Sequence, residues 1–311
     1  MERTDVKKVA LLSGGVGGAR LARGLAALDD VALTVVVNVG DDEVVYGLHV
    51  SPDLDTVLYT LAGVEGPEGW GLTADTFTVL KRLSLFGTDT RFRIGDRDLA
   101  TNLYRTQELL AGATLSDITA RTAAALGAPG TVLPATEHSL RTMIETAEGE
   151  WLSFQEYFVM RRHEDEVTDL RFDGAATAKP SPGVLAAIEE AEAVIIGPSN
   201  PPLSIWPILA IEEIASAIES ADRVIAVSPL FGGRALKGPA DRVMTSLGLP
   251  GGNAGVVAAY GGLLNDLVID TGDANDRARL ADLGVKIHVG DTRIADPTAA
   301  RSFADWLVDL L

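Results

Sequence analysis

Asp41, Asp42, Asp53 and Asp55 fall within 15 residues of one another, in the stretch NVGDDEVVYGLHVSPDLD. Carboxylates this close repel one another, and a divalent cation relieves the repulsion. Magnesium takes one or two carboxylates and completes its shell with water and phosphate oxygens. A candidate phosphate cradle lies upstream. The segment SGGVGGAR, Ser13 to Arg20, ends an apolar run and carries Gly14, Gly15, Gly17 and Gly18 around Val16. Such a turn exposes backbone N–H groups to an anion, and a helix starting there adds its dipole. Neither standard phosphate pattern is met. The G-x-G-x-x-G spacing fails because Arg20 stands in the third slot, and no Gly-Lys-Ser/Thr follows. The plainer alternatives are a tight strand-to-helix turn and acids placed at an ordinary turn and helix start.

Three further segments place polar groups where a strand should end. RIGDRDLATNLYRT sets Asp96, Arg97 and Asp98 before a helix, and Arg97 suits a phosphate or an organic substrate. IIGPSNPPLSIWPIL offers Ser199 and Asn200 on a chain stiffened by prolines. SPLFGGRALKGPADRVM puts Gly232 and Gly233 ahead of Arg234 and Lys237, which points to phosphate binding. His49, His138, His163 and His288 show no HExxH or HxH spacing and read as structural or exposed. No G-x-S-x-G elbow is present.

The elements that must carry these groups alternate between β-branched runs and amphipathic runs, the pattern of a Rossmann-like α/β fold. Strands are expected over Val6–Leu12, Leu33–Val39, Ala193–Gly197, Arg223–Ser228, Leu267–Thr271 and Lys286–Val289. Their continuous apolar character predicts a mainly parallel sheet with helices on both faces. Helices are expected over 19–28, from an N-cap at Ser51 with Pro52 at the first position, and up to a terminal Gly87. Leu54, Val57, Leu58 and Leu61 form the inward stripe of the Ser51 helix, and Leu99, Leu103 and Leu110 that of the helix near Asp96. Later helices are expected over 183–192, 205–221, 274–283 and 298–310. The pattern weakens over 129–178, where MIETAEGEWLSFQEYFV predicts a hairpin turning at Gly149. The expected division is therefore a core of 1–128 and 179–311, with a smaller α+β insert or lid at 129–178.

Composition narrows the partners. With 44 acidic against 26 basic residues, the net charge is −18, and no basic run exceeds Arg161–Arg162, so nucleic acid is not expected. The absence of cysteine excludes disulfides and thiolate sites and suits a cytoplasmic location. The opening MERTDVKKVALL has too short an apolar core for a signal peptide, and no run approaches the roughly 20 apolar residues of a membrane span.

SGGVGGARLARGL, NVGDD, HVSPDLDTVLYTLAG, WGLTADTF, IGDRDLATNLYRT, IGPSNPPLSIWPIL and SPLFGGRALKGPADRVM, taken in order, resemble the 2-phospho-L-lactate transferase family of deazaflavin coenzyme F(420) biosynthesis. The first loop is similar to the actinobacterial branch, which is thought to use a phosphoenolpyruvyl donor. Archaeal members often carry Thr and Pro-Lys where Val16 and Ala19-Arg20 stand here.

The resemblance implies a Mg²⁺-dependent, dimeric enzyme. It would move a phosphoenolpyruvyl or 2-phospholactyl group from a guanosine diphosphate derivative to the ribityl hydroxyl of the deazaflavin precursor Fo, releasing GMP. On that reading Asp41, Asp42, Asp53 and Asp55 supply the metal ligands, and Asp55 or Asp41 acts on the hydroxyl. Asp53, Asp55, Thr88 and Arg97 meet the deazaflavin, with Trp70 nearby. Ser13, Gly14, Gly15, Val16, Gly17, Gly18, Asn38, Ser199, Asn200, Arg234 and Lys237 hold the donor. Two rivals remain at this level. One is a related group of nucleotide-sugar-binding regulators, which would not need DRDLAT or SPDLDT. The other is an NAD-dependent oxidoreductase, disfavoured by the broken fingerprint.

Overall fold

Runs of Val, Ile and Leu build the centre of the molecule, whose computed structural model describes residues 6–311. The first five residues, part of the segment read against a signal peptide, lie outside the described residues. Strands β1 (Lys7–Ser13), β2 (Val31–Val37), β3 (Thr131–Pro134), β4 (Ala193–Ile196), β5 (Val224–Val227), β6 (Asp266–Asp270) and β7 (Lys286–Gly290) form one seven-stranded sheet. Every neighbouring pair is parallel. β4, β5 and β6 are buried at every position. A strand with both faces covered needs apolar side chains on both, which is why these runs do not alternate. Six of the strands lie within two residues of their expected bounds.

The strand order is β7-β6-β5-β4-β1-β2-β3. The chain winds outward from β1 to β3, then returns to β4 on the other side of β1 and winds the opposite way. The C-terminal ends of β1 and β4 therefore flank the switch point of the sheet, where doubly wound folds open a crevice.

Helix α1 (Gly15–Ala26) starts four residues earlier than expected, so the glycines form its first turn and not a loop before it. α2 (Pro52–Ala62) begins at Pro52 and buries Leu54, Val57, Leu58 and Leu61 as its spacing demands. Ser51 precedes it but caps nothing, because its hydroxyl donates to Asp42 Oδ2 at 2.7 Å. α3 (Thr78–Leu85) is followed by Gly87 at φ +82°. α4 (Asp96–Leu110) reverses the expected face. Leu103 is 47% exposed and Leu110 84%, while Asn102 and Arg105 are buried. α5 (Leu115–Leu126) has Thr114 as its cap and Gly127 in the left-handed conformation at its end. The expected 205–221 helix is broken into Pro201–Ile205, Trp206–Leu209 and Glu212–Glu219, and the chain closes with Pro297–Val308.

The stretch 129–178 contains more than an insert. β3 belongs to the main sheet, so a separate unit begins only at Arg141. There Arg141–Thr146 pairs antiparallel with Trp151–Ser153 and Val167–Asp173, turning at Gly149 as expected. Ile144, Leu152, Tyr157 and Val167 pack with Leu203 and Val243 from the surrounding core, giving the small sheet its own apolar seat. No helix of the described residues is long and apolar enough to cross a membrane.

Candidate active site

The switch point is built by close approach. A Cβ at Gly17 would run into the carbonyl oxygen of Pro198, and one at Gly18 into Ser13 Oγ. At Gly14 it would lie 2.6 Å from Asp53 Oδ2. The glycines thus let α1 settle against the loop that follows β4. Ser199 closes the seam: its Oγ accepts from Gly14 N at 3.2 Å and donates to Gly14 O at 2.7 Å. Gly15 takes φ +65°, a backbone region that favours glycine. Its N–H donates to Asp53 Oδ1 at 2.7 Å. The anion nearest the start of α1 is thus a side chain of the protein, placed where the helix dipole favours negative charge.

Asn38, just past β2, gathers the acids. Its Oδ1 accepts from Gly40 N at 2.7 Å, and its Nδ2 donates to Asp41 Oδ1 and Asp53 Oδ2, each at 3.0 Å. Burial, then repulsion from Asp53 and Asp42, holds Asp41 well above the usual carboxylate range. Burial pushes Asp53 up to about 6, against the hydrogen bonds from Asn38 and Gly15. Asp42 Oδ2 accepts from Ser51 and meets His49 Nε2 at 3.0 Å, while its Oδ1 is buried with no hydrogen-bond partner among the described residues. The small sheet pins this turn: Thr142 N donates to Gly40 O at 2.6 Å and Gln155 Nε2 to Asp41 O at 2.8 Å.

These residues fit a divalent cation. Buried carboxylates sharing one amide and repelling one another are short of positive charge. Among the described residues no three His, Asp or Glu side chains are grouped to hold a metal by themselves.

Asp55 is engaged differently. Arg105 of α4, buried beside it, donates from Nη1 to Asp55 Oδ2 at 3.1 Å and from Nη2 to Asp55 Oδ1. Asn102 Oδ1 accepts from the same guanidinium at 2.7 Å. Burial still raises the Asp55 carboxyl, against the pull of Arg105. Nearby, two acids exchange caps. Asp75 accepts from the backbone N–H groups of Arg97 at 2.8 Å and Asp98 at 3.1 Å, at the start of α4. Asp96, on α4, accepts from those of Thr78 and Val79, each at 2.9 Å, at the start of α3. These bonds and the one from Thr76 pull Asp96 down to about 2.

The family model described as 2-phospho-L-lactate transferase CofD matches residues 9–293. The chain belongs to the CofD family. Among curated relatives, the phosphoenolpyruvate transferase of Streptomyces griseus is 39% identical, over 97% of this chain and 98% of its own. The 2-phospho-L-lactate transferase of Methanothermobacter thermautotrophicus is 38% identical, over 92% of each. A crystallised member of the UPF0052 family from Bacillus halodurans shares the fold, with a TM-score of 0.63 and 18% identity over 97% of this chain and 99% of that one. Membership of the CofD family makes this chain a transferase of the phosphoenolpyruvate and 2-phospholactate kind.

On this CofD-family scaffold the expected residues divide in two. Ser13, the glycines, Asn38, Asp41, Asp42, Asp53, Ser199 and Asn200 meet around the ends of β1, β2 and β4. Thr88, Arg97, Arg234, Lys237 and Trp70 are exposed. Lys237 Nζ meets Glu68 Oε2 at 3.1 Å, and Arg97 Nη1 donates to Thr73 O at 3.4 Å. Sequence reasoning missed Arg105, Asn102, His49, Thr142 and Gln155. A signal existed for the first two: Asp98, Asn102 and Arg105 stand at i, i+4 and i+7, a polar stripe on one helix face.

Proposed function

We propose that this chain transfers a phosphoenolpyruvyl group from its guanosine-diphosphate-activated form to the terminal ribityl hydroxyl of the deazaflavin Fo, with GMP leaving. The observation that carries the reading is the Asn38-bridged pair Asp41 and Asp53, buried at the switch point beside the start of α1. Phosphoryl transfer needs in-line placement and charge neutralisation more than covalent help. Asp41 and Asp53, the pair joined by Asn38, would hold Mg²⁺, which when bound neutralises charge on the diphosphate. The first turn of α1, whose start Ser199 holds through Gly14, would fix the donor phosphates. Lys237 would leave its exposed pairing with Glu68 to join them. Arg97 and Thr88, by their place in the family motifs, would meet the deazaflavin. Asp55, with both oxygens on Arg105, serves as a fixed anionic wall. The phosphoenolpyruvyl choice follows Val16 and Ala19-Arg20 near the start of α1, and the Streptomyces relatives bear that name.

The test is incubation of the protein and Mg²⁺ with Fo and each guanylylated donor, with mass spectrometry of products. GMP and a phosphoenolpyruvyl diester of Fo are expected. A lactyl diester alone reverses the donor choice. Binding of UDP-sugars with no turnover of either donor would restore the regulator reading.

A further inference from the structure

Most acidic residues around α2 and α4 cap a helix or pair with a cation, and Asp98 does neither. Asp53 caps α1, Asp75 caps α4, Asp96 caps α3, Asp42 holds Ser51 and His49, and Asp55 holds Arg105. Asp98 caps nothing and pairs with no cation. Its Oδ1 accepts from Tyr59 Oη at 2.9 Å and from Asn102 Nδ2 at 3.3 Å. Its Oδ2 accepts no hydrogen bond from any described residue. The carboxyl is thus oriented by one oxygen and unoccupied at the other. It is the next residue after Arg97, and it lies close enough to Asp55 to feel its charge.

Resting on the transfer reading above, we propose that Asp98 is the general base for the acceptor alcohol. Its Oδ2 takes the proton of the ribityl hydroxyl as that oxygen bonds to the distal phosphorus. The bond from that phosphorus to the bridging oxygen breaks, and GMP departs with the electron pair. The proton on Asp98 then passes to water. Asp55 is unsuited to this task, because both of its oxygens lie on a guanidinium that stays protonated. Asp41 and Asp53 are tied by Asn38 and carry the charge that a cation needs.

The groups facing Asp98 set where it titrates. From α2 come Asp55, which raises it, and Tyr59, whose hydrogen bond favours the charged form. From its own helix comes Arg105, which lowers it, and from the segment before α3 comes Asp75, which raises it. Burial is the largest influence, and together these hold Asp98 at about 7. A base near working pH is well matched to proton transfer.

The experiment is the pH profile of kcat for wild type, Asp98→Asn, Asp98→Glu and Tyr59→Phe, with KM for each substrate and the circular dichroism of each variant. The wild-type rate should climb with pH through about 7. Asp98→Asn should lose about 100-fold or more in kcat with little change in either KM, and the climb should vanish. Asp98→Glu should keep the climb at a reduced rate. Tyr59→Phe removes a bond that favours the charged form, so its climb should move to higher pH. An Asp98→Asn enzyme with the wild-type profile overturns the assignment, and so does a Tyr59→Phe climb that stays in place. If Asp98→Asn does not fold, Tyr59→Phe decides. Absence of product from the wild type sinks the transfer reading and this assignment together, whereas product with an unaltered Asp98→Asn profile sinks the assignment alone.

Discussion

Where β1 and β4 end, Gly14, Gly17 and Gly18 let α1 close onto Pro198 and Ser199, and every group there is buried or nearly so. By contrast, Arg97, Arg234 and Lys237 stand in solvent, and Lys237 pairs with an equally exposed Glu68. The floor is fixed by atoms that have nowhere else to go, and the rim by contacts that water readily replaces. Shape and stability therefore reside in the first region, and adjustable charge in the second. In a chain of net charge −18, keeping these cations exposed also keeps them available.

This contrast can be broken from its stable side first. Arg105→Met would strand a buried Asp55 carboxylate, and denaturant unfolding should show a loss of about 3–5 kcal/mol. Next comes Gly17→Ala, whose methyl meets the Pro198 carbonyl. It should cost roughly 1–3 kcal/mol by the same measurement, while Gly251→Ala, with open space around it, should stay within about 0.5 kcal/mol. Equal effects from the two glycine changes would refute the packed-floor account.

A pH experiment sharpens the comparison further. The folded state holds Asp98 at about 7, above its ordinary 3.8. Such a group adds stability that is complete below the lower value and disappears as pH rises through the upper one. Asp98→Asn, which cannot ionise, should match the wild type's Tm near about pH 4 and exceed it near about pH 8. The smallest effect on stability belongs to the rim. Lys237→Ala should leave Tm unchanged, since exposed pairs contribute about 0–1 kcal/mol, yet raise the donor KM about tenfold. An unchanged KM would remove Lys237 from the donor site.

The sheet was readable in the sequence because strands covered on both faces are unbroken apolar runs. β3 escaped notice because Thr131–Pro134 is short and ends in proline, beside a region without clear period. The glycines marked the crevice, but their position inside α1 depends on contacts with Pro198, 181 residues away in the chain. On α4 the leucines misled. Periodicity reports which face differs from the rest, and here the inward face is the polar one, because Asp55 needs a cation within the fold. The pairing of Asp55 with Arg105 and of Asp42 with His49 joins separate elements, and no local pattern could have supplied it.

The exchanged caps of α3 and α4 have an evolutionary consequence. Asp75 and Asp96 fasten the two ends of the segment between them, so the connection from Gly87 to Arg93 is tethered at its base and not along its length. Lengthening such a tethered span is inexpensive, roughly 0.6 kcal/mol for each doubling. Homologous chains can therefore differ in the size of this span while the sheet beneath stays the same.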